Sequence, residues 1–378
     1  MRIGYEITAV SEQPSGVGTY ALQLLRGMVE EEREHEYLLF SNRPHHRQHI
    51  GALSGLHDMM RPFPSRMLWM QLLLPGQLGA LRPDLCHYPN SIAPLRSPCP
   101  YVITVHDMTL SQMPRYHPWR KQLLVRPLVP LVARRATRVI TVSSQARDDV
   151  VRLLRIPASR VSVIPEAAAP IFRPVARAEQ ERVRERYGLR KPFVLYMGTL
   201  EPRKNLIRLI QAWHRLRQRG AIPHQLVLVG APGWQYGPIY AAARRLGYAD
   251  DVIFAGYLPR EDLPGLVCAA DAFAFPSLAE GFGLPALEAM ACGTPTLISD
   301  TPALREVAGD AALAANPRDV AALSAALERL LTDEPLRERL RGAGIARAAL
   351  FSWRRTARET LAVYRSALAA PASSLAAA

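Results

Sequence analysis

Short apolar runs alternate along the chain with segments in which apolar residues recur every three or four positions. The runs predict buried β-strands, and the periodic segments predict amphipathic helices. Alternation of this kind from end to end is typical of parallel sheets covered by helices on both faces. The predicted strands form a first group, at 2–8, 37–41, 84–88, 101–105, 138–142 and 161–165, and a second group, at 193–197, 225–229, 252–254, 272–275 and 296–299.

Two groups of strands indicate two doubly wound α/β domains, because one compact core seldom organises a chain of 378 residues. The stretch 168–190 is rich in Pro, Arg and Glu and precedes the second group, so the linker is predicted near 167–174. We therefore expect domains at 1–170 and 171–352. Ser352 is a suitable N-cap for a last helix at 353–370.

The four cysteines are scattered without a Cys-x-x-Cys pair, which argues against a disulfide framework and against a zinc site. The chain begins with a strand-like run rather than a charged and then apolar leader. Its most apolar segment, 123–133, is too short for a membrane span and is interrupted by Arg126, Pro127 and Pro130. We expect a protein of the reducing cytoplasm.

A formal net charge of +14 favours an anionic partner, and the excess is unevenly distributed. Residues 59–138 hold eleven Lys and Arg against two acids, together with Phe63, Met67, Trp69 and Trp119. Basic and aromatic residues in one segment are typical of proteins that rest on anionic lipid headgroups. The same composition also suits a solvated basic surface with the aromatic rings in the core, and the sequence leaves both interpretations open.

A Gly-Val-Gly turn at 16–18 follows the first strand and opens a helix. Glycines at such a turn let the backbone approach an anion at the helix N-terminus. The dinucleotide fingerprint Gly-x-Gly-x-x-Gly is incomplete, since the third position after Gly18 is Ala21, and this weakens an NAD-binding interpretation. A tight turn without a ligand is the alternative.

Polar residues follow two further predicted strands. His106 ends the strand 101–105 and is expected at the crevice, although a lone histidine is often only a structural hydrogen-bonding group. Gly198 opens a turn after the strand 193–197, and Arg203 and Lys204 follow in that turn, ahead of a helix. A guanidinium beside an ammonium suits a diphosphate. A merely solvated pair is disfavoured because cations oppose the dipole at a helix N-terminus unless an anion is present.

Two glutamates, Glu280 and Glu288, flank a Gly-Phe-Gly sequence that follows the strand 272–275. The glycines keep Glu280 in the loop, whereas Pro285 suits the first turn of a helix that contains Glu288. Amides near Gly283 and Leu284 would point at an anion, and Glu288 would accept from vicinal hydroxyls such as those of ribose. With Arg203 and Lys204, these groups suit a sugar nucleotide.

The chain reads Gly-Thr-Leu-Glu-Pro-Arg-Lys-Asn at 198–205 and Glu-Gly-Phe-Gly-Leu-Pro-Ala-Leu-Glu-Ala-Met-Ala-Cys-Gly-Thr-Pro at 280–295. Both motifs resemble those of the family 4 retaining glycosyltransferases of GT-B fold, and the second resembles the family's Glu-x7-Glu element. The resemblance covers essentially the whole chain. It implies two Rossmann-like domains that face a central donor cleft, with the last helix crossing back to the first domain.

The resemblance also implies the roles of individual residues. Arg203 and Lys204 would neutralise the donor diphosphate without a metal, Glu288 would hold the ribose, and Glu280 would contact hydroxyls of the donor sugar. Phe282, Gly283 and Leu284 would offer backbone amides. His106 would approach the 6-hydroxyl and anomeric region of the sugar, and Gly16 and Gly18 would lie near the phosphates and the acceptor. Where many relatives have Ile-Pro-Asn-Gly at the end of the first domain, this chain has Ile-Pro-Glu-Ala at 164–167.

The amino-acid sequences of the two motifs most resemble those of bacterial mannosyltransferases that build surface polysaccharide. The expected reaction is therefore hexose transfer with retention, from GDP-mannose to a glycan or polyprenyl-diphosphate-linked acceptor at the inner membrane face, with no cofactor or metal. A UDP-sugar donor of the UDP-glucose type is the alternative within this fold.

Three other classes of protein remain as rivals. An NAD-dependent dehydrogenase would bind NAD rather than a nucleoside diphosphate. A glycosidase would use Glu280 and Glu288 as a carboxyl pair roughly 5–9.5 Å apart. A non-catalytic binder would retain nucleic acid in a salt-sensitive way. The chain lacks an aromatic and basic nucleic-acid motif, so no nucleic-acid partner is expected.

Overall fold

A computed structural model describes residues 1–14, 16–51, 55–246 and 251–369. The chain folds into two compact units, one formed by Met1–Glu166 together with the segment from Ser352 onward, and one formed by Ala167–Phe351. We call them unit 1 and unit 2. Each contains a single parallel sheet covered by helices, so the predicted class of two Rossmann-like doubly wound α/β folds is confirmed.

Unit 1 is built on a seven-stranded parallel sheet in the order β3-β2-β1-β4-β5-β6-β7. Its strands are β1 (Arg2–Glu6), β2 (Glu36–Phe40), β3 (Leu56–Asp58), β4 (Leu85–Tyr88), β5 (Tyr101–Val105), β6 (Arg138–Thr141) and β7 (Val161–Val163). Its helices before the boundary are α1 (Val17–Glu31), α2 (Arg47–Ile50), α3 (Arg66–Leu72), α4 (Leu74–Leu81), α5 (Thr109–Gln112), α6 (Trp119–Leu124), α7 (Leu128–Arg135) and α8 (Ser144–Leu154).

Unit 2 is built on a six-stranded parallel sheet in the order β10-β9-β8-β11-β12-β13. Its strands are β8 (Phe193–Met197), β9 (Gln225–Val229), β10 (Val252–Gly256), β11 (Ala272–Phe275), β12 (Thr296–Ser299) and β13 (Leu313–Ala315). Its helices are α9 (Arg177–Arg186), α10 (Leu206–Gln218), α11 (Gly237–Arg245), α12 (Leu263–Ala269), α13 (Leu284–Ala291), α14 (Pro302–Ala308), α15 (Val320–Thr332) and α16 (Glu334–Ala348).

The last helix, α17 (Trp353–Ala369), belongs to unit 1 and packs against α1. The two helices approach so closely that a Cβ on Gly27 would lie 2.9 Å from the carbonyl oxygen of Trp353. Arg354 and Arg358 both pair with Glu31, at 2.8 and 2.9 Å. The helix therefore completes the layer that α1 begins.

The two faces of the unit 1 sheet are covered by different helices. Ile103 and Val105 of β5 point into a core formed with α3, α4, α7 and α8. Thr104 points the opposite way, because side chains alternate along a strand, and it bonds Tyr20 of α1 at 3.0 Å. Helices α1 and α17 thus occupy the second face.

Two observed strands, β3 and β13, were missed by the sequence prediction. Each has three residues and lies at the edge of its sheet, paired on one side only. Their side chains are mostly exposed or half-buried, so neither segment carries the apolar run that marks a buried strand. No helix in the described part of the chain combines the length and the apolar character needed to cross a bilayer.

Candidate functional site

The two motifs of unit 2, at 198–205 and 280–295, meet because the strands before them are neighbours. β8 lies between β9 and β11, which makes it the point where the strand order reverses, and ligands of open α/β sheets bind beyond the strand ends at such a point. The loop after β8 and the loop after β11 are joined by a hydrogen bond from the Leu278 amide to the Arg203 carbonyl, 2.9 Å long.

Asn205 holds the first of these loops in place. Its backbone is left-handed, at φ 63°, a conformation that asparagine tolerates better than most residues. Its side-chain amide donates to the carbonyl oxygens of Pro276 and Pro317, at 3.0 and 2.6 Å. The tight turn Pro202–Lys204 that precedes it therefore presents its two cations from a fixed backbone.

Arg203 and Lys204 are paired with carboxylates of unit 2. Lys204 Nζ lies 2.7 Å from Glu280 Oε1, and Arg203 lies 3.1 Å from Glu280 Oε2 and 2.8 Å from Glu201 Oε1. The side chains of Arg203, Lys204 and Glu280 are each about nine-tenths buried. Cations near a helix N-terminus need an anion beside them, and the Glu280 carboxylate is such an anion.

The charges of this cluster fix the ionisation of its carboxyl groups. Burial alone would raise the pKa of Glu280, but Arg203 and Lys204 outweigh burial and lower it to about 2. At Glu201 burial dominates and the pKa is raised, although Arg203 and Lys204 oppose it. Glu280 is thus a firmly ionised carboxylate at neutral pH, which excludes it as a proton donor.

The loop between β11 and α13 is shaped by packing. Gly283 has φ 106°, and a Cβ there would lie 2.4 Å from Leu304 Cδ2, so only glycine fits. The Phe282 ring is buried and meets Phe351 edge to face, with centroids 5.7 Å apart. Packing alone thus accounts for Gly283 and Phe282 at these positions.

The predicted placement of the two glutamates is confirmed. α13 begins at Leu284 with Pro285 in its first turn, so Glu280 lies in the loop and Glu288 lies inside the helix. Glu288 is buried, with 7% of its surface exposed. The first amides of α13, from Leu284 onward, and the Glu288 carboxylate belong to one short helix.

In unit 1 the glycine turn follows β1, which is the strand where the order of that sheet reverses. Gly16 precedes α1 with φ 37°, and a Cβ there would meet no atom within 4 Å. At Gly18 a Cβ would lie 2.6 Å from the Ala9 carbonyl oxygen. Gly16 is therefore needed for its backbone conformation, and Gly18 is needed for the close approach of α1 to the segment after β1.

His106 follows β5 and is held at both ring nitrogens. Nδ1 lies 3.0 Å from Glu166 Oε1, and Nε2 lies 3.0 Å from the Pro89 carbonyl oxygen. The Pro89 carbonyl oxygen can only accept, so Nε2 donates to it, and a protonated ring would donate to Glu166 as well. Burial lowers the pKa of His106, but the hydrogen bond and charge of Glu166 prevail and raise it above the ordinary value. A ligand that bonds to either ring nitrogen must displace Glu166 or the Pro89 carbonyl oxygen.

Glu166 and Glu201 are two residues of these clusters that the sequence analysis did not assign. Glu166 follows β7 and is 4% exposed, so its carboxylate meets His106 away from water. Glu201 lies two residues before Arg203 in the same motif, a spacing that could have suggested an ion pair. The structure groups Glu201, Arg203, Lys204 and Glu280 in unit 2, and it pairs Glu166 with His106 in unit 1.

Within residues 1–14, 16–51, 55–246 and 251–369, no group of three or more His, Cys, Asp or Glu side chains is placed to hold a metal ion. The cations of the unit 2 cluster are the groups available there for binding an anion.

Two family models match this chain. Residues 14–168 match the model described as Glycosyltransferase Family 4, and residues 178–347 match the model described as Glycosyl transferases group 1. O-antigen chain mannosyltransferase B of Escherichia coli is 32% identical over 97% of this chain and 100% of its own length. The serotype-specific mannosyltransferase WbdA of the same species is 34% identical over 59% of this chain and 28% of its own length.

A solved structure of similar fold is that of Anabaena Alr3699/HepE in complex with UDP and glucose. It superposes with a TM-score of 0.78 at 21% identity and covers 97% of this chain and 100% of the other. At that identity the likeness concerns the fold.

Proposed function

The chain belongs to the family 4 glycosyltransferases and is a hexosyltransferase, and from that premise we propose that it transfers mannose from GDP-mannose to a glycan acceptor. The observation that carries the choice of sugar is the match to a mannosyltransferase along the full length of both chains. The shorter match to a second mannosyltransferase supports the same choice.

The donor diphosphate is assigned to the cation pair of unit 2. A diphosphate would take the place of Glu280 as the partner of Arg203 and Lys204, because it offers more negative charge and several acceptor oxygens. The exchange would free the Glu280 carboxylate for hydroxyl groups of the donor sugar. The two cations would then neutralise charge that develops on the departing nucleotide, a task that a metal ion performs in other transferases.

The ribose is assigned to Glu288, whose carboxylate lies on the helix that follows the diphosphate loop. Adjacent hydroxyls of a ribose can both donate to one carboxylate, as they do in dinucleotide-binding domains. We propose further that transfer retains the anomeric configuration, with the leaving phosphate accepting the proton of the attacking hydroxyl. No side chain is then needed as a general base.

Binding of GDP-mannose is expected to raise the melting temperature, whereas UDP-glucose, ADP-glucose and NAD leave it unchanged. A ligand that binds only the native state at a hundred times its Kd stabilises it by about 2.7 kcal/mol. A thermal-shift panel of these compounds measures the effect, with Glu288→Ala as the variant that should lose it. A response to UDP-glucose alone would overturn the choice of donor, and a response to NAD alone would overturn the assignment of the site.

We also propose that the acceptor is a polyprenyl-diphosphate-linked glycan and that unit 1 docks on an anionic membrane to reach it. The supporting feature is a set of exposed apolar side chains on α3, α6 and α7, which we call the membrane face. It consists of Leu68, Leu72, Trp119, Leu123, Leu124 and Leu131.

The membrane face combines apolar exposure with positive charge. α6 buries none of its six residues, and Trp119, Leu123 and Leu124 are 59–66% exposed. Arg120 and Lys121 lie in the same helix. Trp69 of α3 is fully buried, so its ring belongs to the core, whereas the ring of Trp119 lies on the surface. A short helix with an exposed tryptophan, leucines and cations suits the headgroup region of an anionic bilayer.

The triple variant Trp119→Ser/Leu123→Ser/Leu124→Ser is expected to bind vesicles of phosphatidylglycerol and phosphatidylcholine at least about tenfold more weakly, since it removes the apolar area that would enter the bilayer. Co-sedimentation measures the change. Leu350→Ser is the matched control, because Leu350 is 60% exposed but lies in unit 2. Equal binding of the triple variant and the wild type would contradict the proposal.

A further inference from the structure

Two cysteines of unit 2 that are 24 residues apart in the sequence come together at the ends of two helices. Cys268 lies in the last turn of α12, and Cys292 is the residue that follows α13. Cys268 Sγ is 3.6 Å from the Cys292 carbonyl oxygen. Beside them, the buried Thr294 hydroxyl donates to the Val267 carbonyl oxygen at 2.7 Å. The end of α12 is thus fixed against the turn that follows α13.

The two thiols differ in exposure and in ionisation. Cys268 is half-buried, whereas Cys292 is only 4% exposed. A hydrogen bond from the Cys292 thiol lowers the pKa of Cys268 to about 7, although burial opposes it, and the nearby Val175 amide and Arg341 guanidinium add to the lowering. The same hydrogen bond raises the pKa of Cys292, and burial raises it further. At neutral pH a large fraction of Cys268 is therefore thiolate, while Cys292 remains a thiol.

The other two cysteines of the chain, both in unit 1, provide an internal comparison. Cys99 is half-buried, as Cys268 is, and Cys86 is buried. Burial raises the pKa of both thiols, so neither is ionised at neutral pH. Exposure alone does not distinguish Cys268 from Cys99, but the groups that stabilise its thiolate do. A stabilised, accessible thiolate beside a second thiol is the arrangement of redox-sensing cysteines.

We propose that Cys268 and Cys292 form a reversible redox pair, in which the Cys268 thiolate reacts with a hydroperoxide and the Cys292 thiol resolves the product. In the first step the Cys268 sulfur attacks one peroxide oxygen and the O–O bond breaks. The products are the sulfenic acid of Cys268 and an alcohol, or water when the oxidant is hydrogen peroxide. In the second step the Cys292 sulfur attacks the Cys268 sulfur, the S–O bond breaks, and water leaves with the thiol proton. Two electrons pass from the two sulfurs to the peroxide, and a dithiol reverses the reaction.

The disulfide would act on the helix that carries Glu288. A covalent bond holds two sulfurs closer together than a hydrogen bond does, so oxidation draws Cys292 towards α12. The Cys292 amide donates to the Glu288 carbonyl oxygen at 3.1 Å, which places Cys292 one turn beyond Glu288. Oxidation should therefore weaken the binding of GDP-mannose. This effect rests on the proposed function, which assigns the ribose to Glu288, whereas the redox pair itself does not.

Peptide mass spectrometry tests the pair directly. Trypsin leaves both cysteines on the peptide 261–305, because no Lys or Arg lies between Arg260 and Arg305. Reduced protein is treated with a small excess of hydrogen peroxide at neutral pH, alkylated with N-ethylmaleimide and digested. The wild-type peptide is expected to lose two hydrogen atoms and to carry no alkyl group, while Cys86 and Cys99 are alkylated. Dithiothreitol should restore both alkylation sites of the peptide.

Single variants assign the two roles. Cys292→Ser should stop at the sulfenic acid of Cys268, which dimedone traps, and Cys292→Ala replaces it if the buried hydroxyl disturbs the fold. Cys268→Ser should leave Cys292 as an unmodified thiol. Cys99→Ser is the matched control and should form the disulfide as the wild type does. The proposal is overturned if the wild type forms no disulfide, if Cys99 is oxidised as fast as Cys268, or if Cys292 is oxidised in Cys268→Ser.

Calorimetry with GDP-mannose separates the redox pair from its effect on the donor. The oxidised wild type should bind GDP-mannose more weakly than the reduced wild type, and Cys268→Ser should bind it equally before and after peroxide treatment. A disulfide that forms without changing this binding would leave the pair standing and refute its link to α13. A reduced wild type that forms the disulfide but does not bind GDP-mannose would refute the donor alone.

Discussion

Replacement of Lys204 by alanine is expected to lower kcat about 10²–10³-fold, the loss typical of removing one preorganised group that stabilises charge in the transition state. Lys204 is the cation that the structure holds nearest to Glu280, at 2.7 Å, and its Nζ lies 5.1 Å from the centre of the Phe275 ring. Such a site positions the ammonium before the donor arrives. Release of GDP in the presence of acceptor measures the rate.

Lys204→Met separates the charge from the volume of the side chain. It keeps an apolar chain against the Phe275 ring and removes the ammonium, so it should be as slow as Lys204→Ala if the charge matters. Lys191→Ala is the matched control, because Lys191 lies in unit 2, is 53% exposed and pairs with Asp251. Turnover of either Lys204 variant within twofold of the wild type would end the proposed role.

Glu280→Ala is expected to destabilise unit 2 by about 3–5 kcal/mol, because removal of one partner from a buried ion pair leaves uncompensated charge. Arg203 would keep its ion pair with Glu201, so the uncompensated charge would lie mainly on Lys204. Hydrogen exchange at the amides of β8 and β11 measures the free energy of unfolding locally. Asp300→Ala, which breaks an exposed ion pair with Arg305, is the control and should change this free energy of unfolding by less than about 1 kcal/mol.

The contribution of Glu280 also depends on pH in a defined direction. Its folded pKa, about 2, is below the unfolded value of 4.5, so the stabilisation is complete above pH 4.5 and is lost as the pH falls towards 2. The stability difference between the wild type and Glu280→Ala should therefore narrow over that window. A difference that stays constant from pH 6 to pH 3 would contradict the assigned ion pair.

Most of the strands were predicted because central strands of parallel sheets are buried on both faces and read as continuous apolar runs. β5, β8 and β9 are buried at every residue. β3 and β13 were not predicted, because an edge strand needs only one neighbour and tolerates polar side chains. The sequence of such a strand resembles that of a loop.

The residues of the site were easier to find than their partners. Strand ends and glycines mark Arg203, Lys204 and Glu280 as neighbours of a crevice, but the spacing along the chain does not show that they neutralise one another. That pairing depends on β8 and β11 being adjacent, a fact of topology. Glu166 was noticed only as a departure from relatives, because its partner His106 lies sixty residues away.

The place of α17 in unit 1 has a consequence for the order in which the protein matures. Unit 1 is a discontinuous domain, interrupted by the whole of unit 2, and the part of α1 that packs against α17 stays uncovered until α17 has been synthesised. Synthesis of the 185 residues from Ala167 to Phe351 takes roughly 10–40 s at ribosomal rates. Unit 2 can therefore fold first on the ribosome, while unit 1, although begun earlier, is completed last.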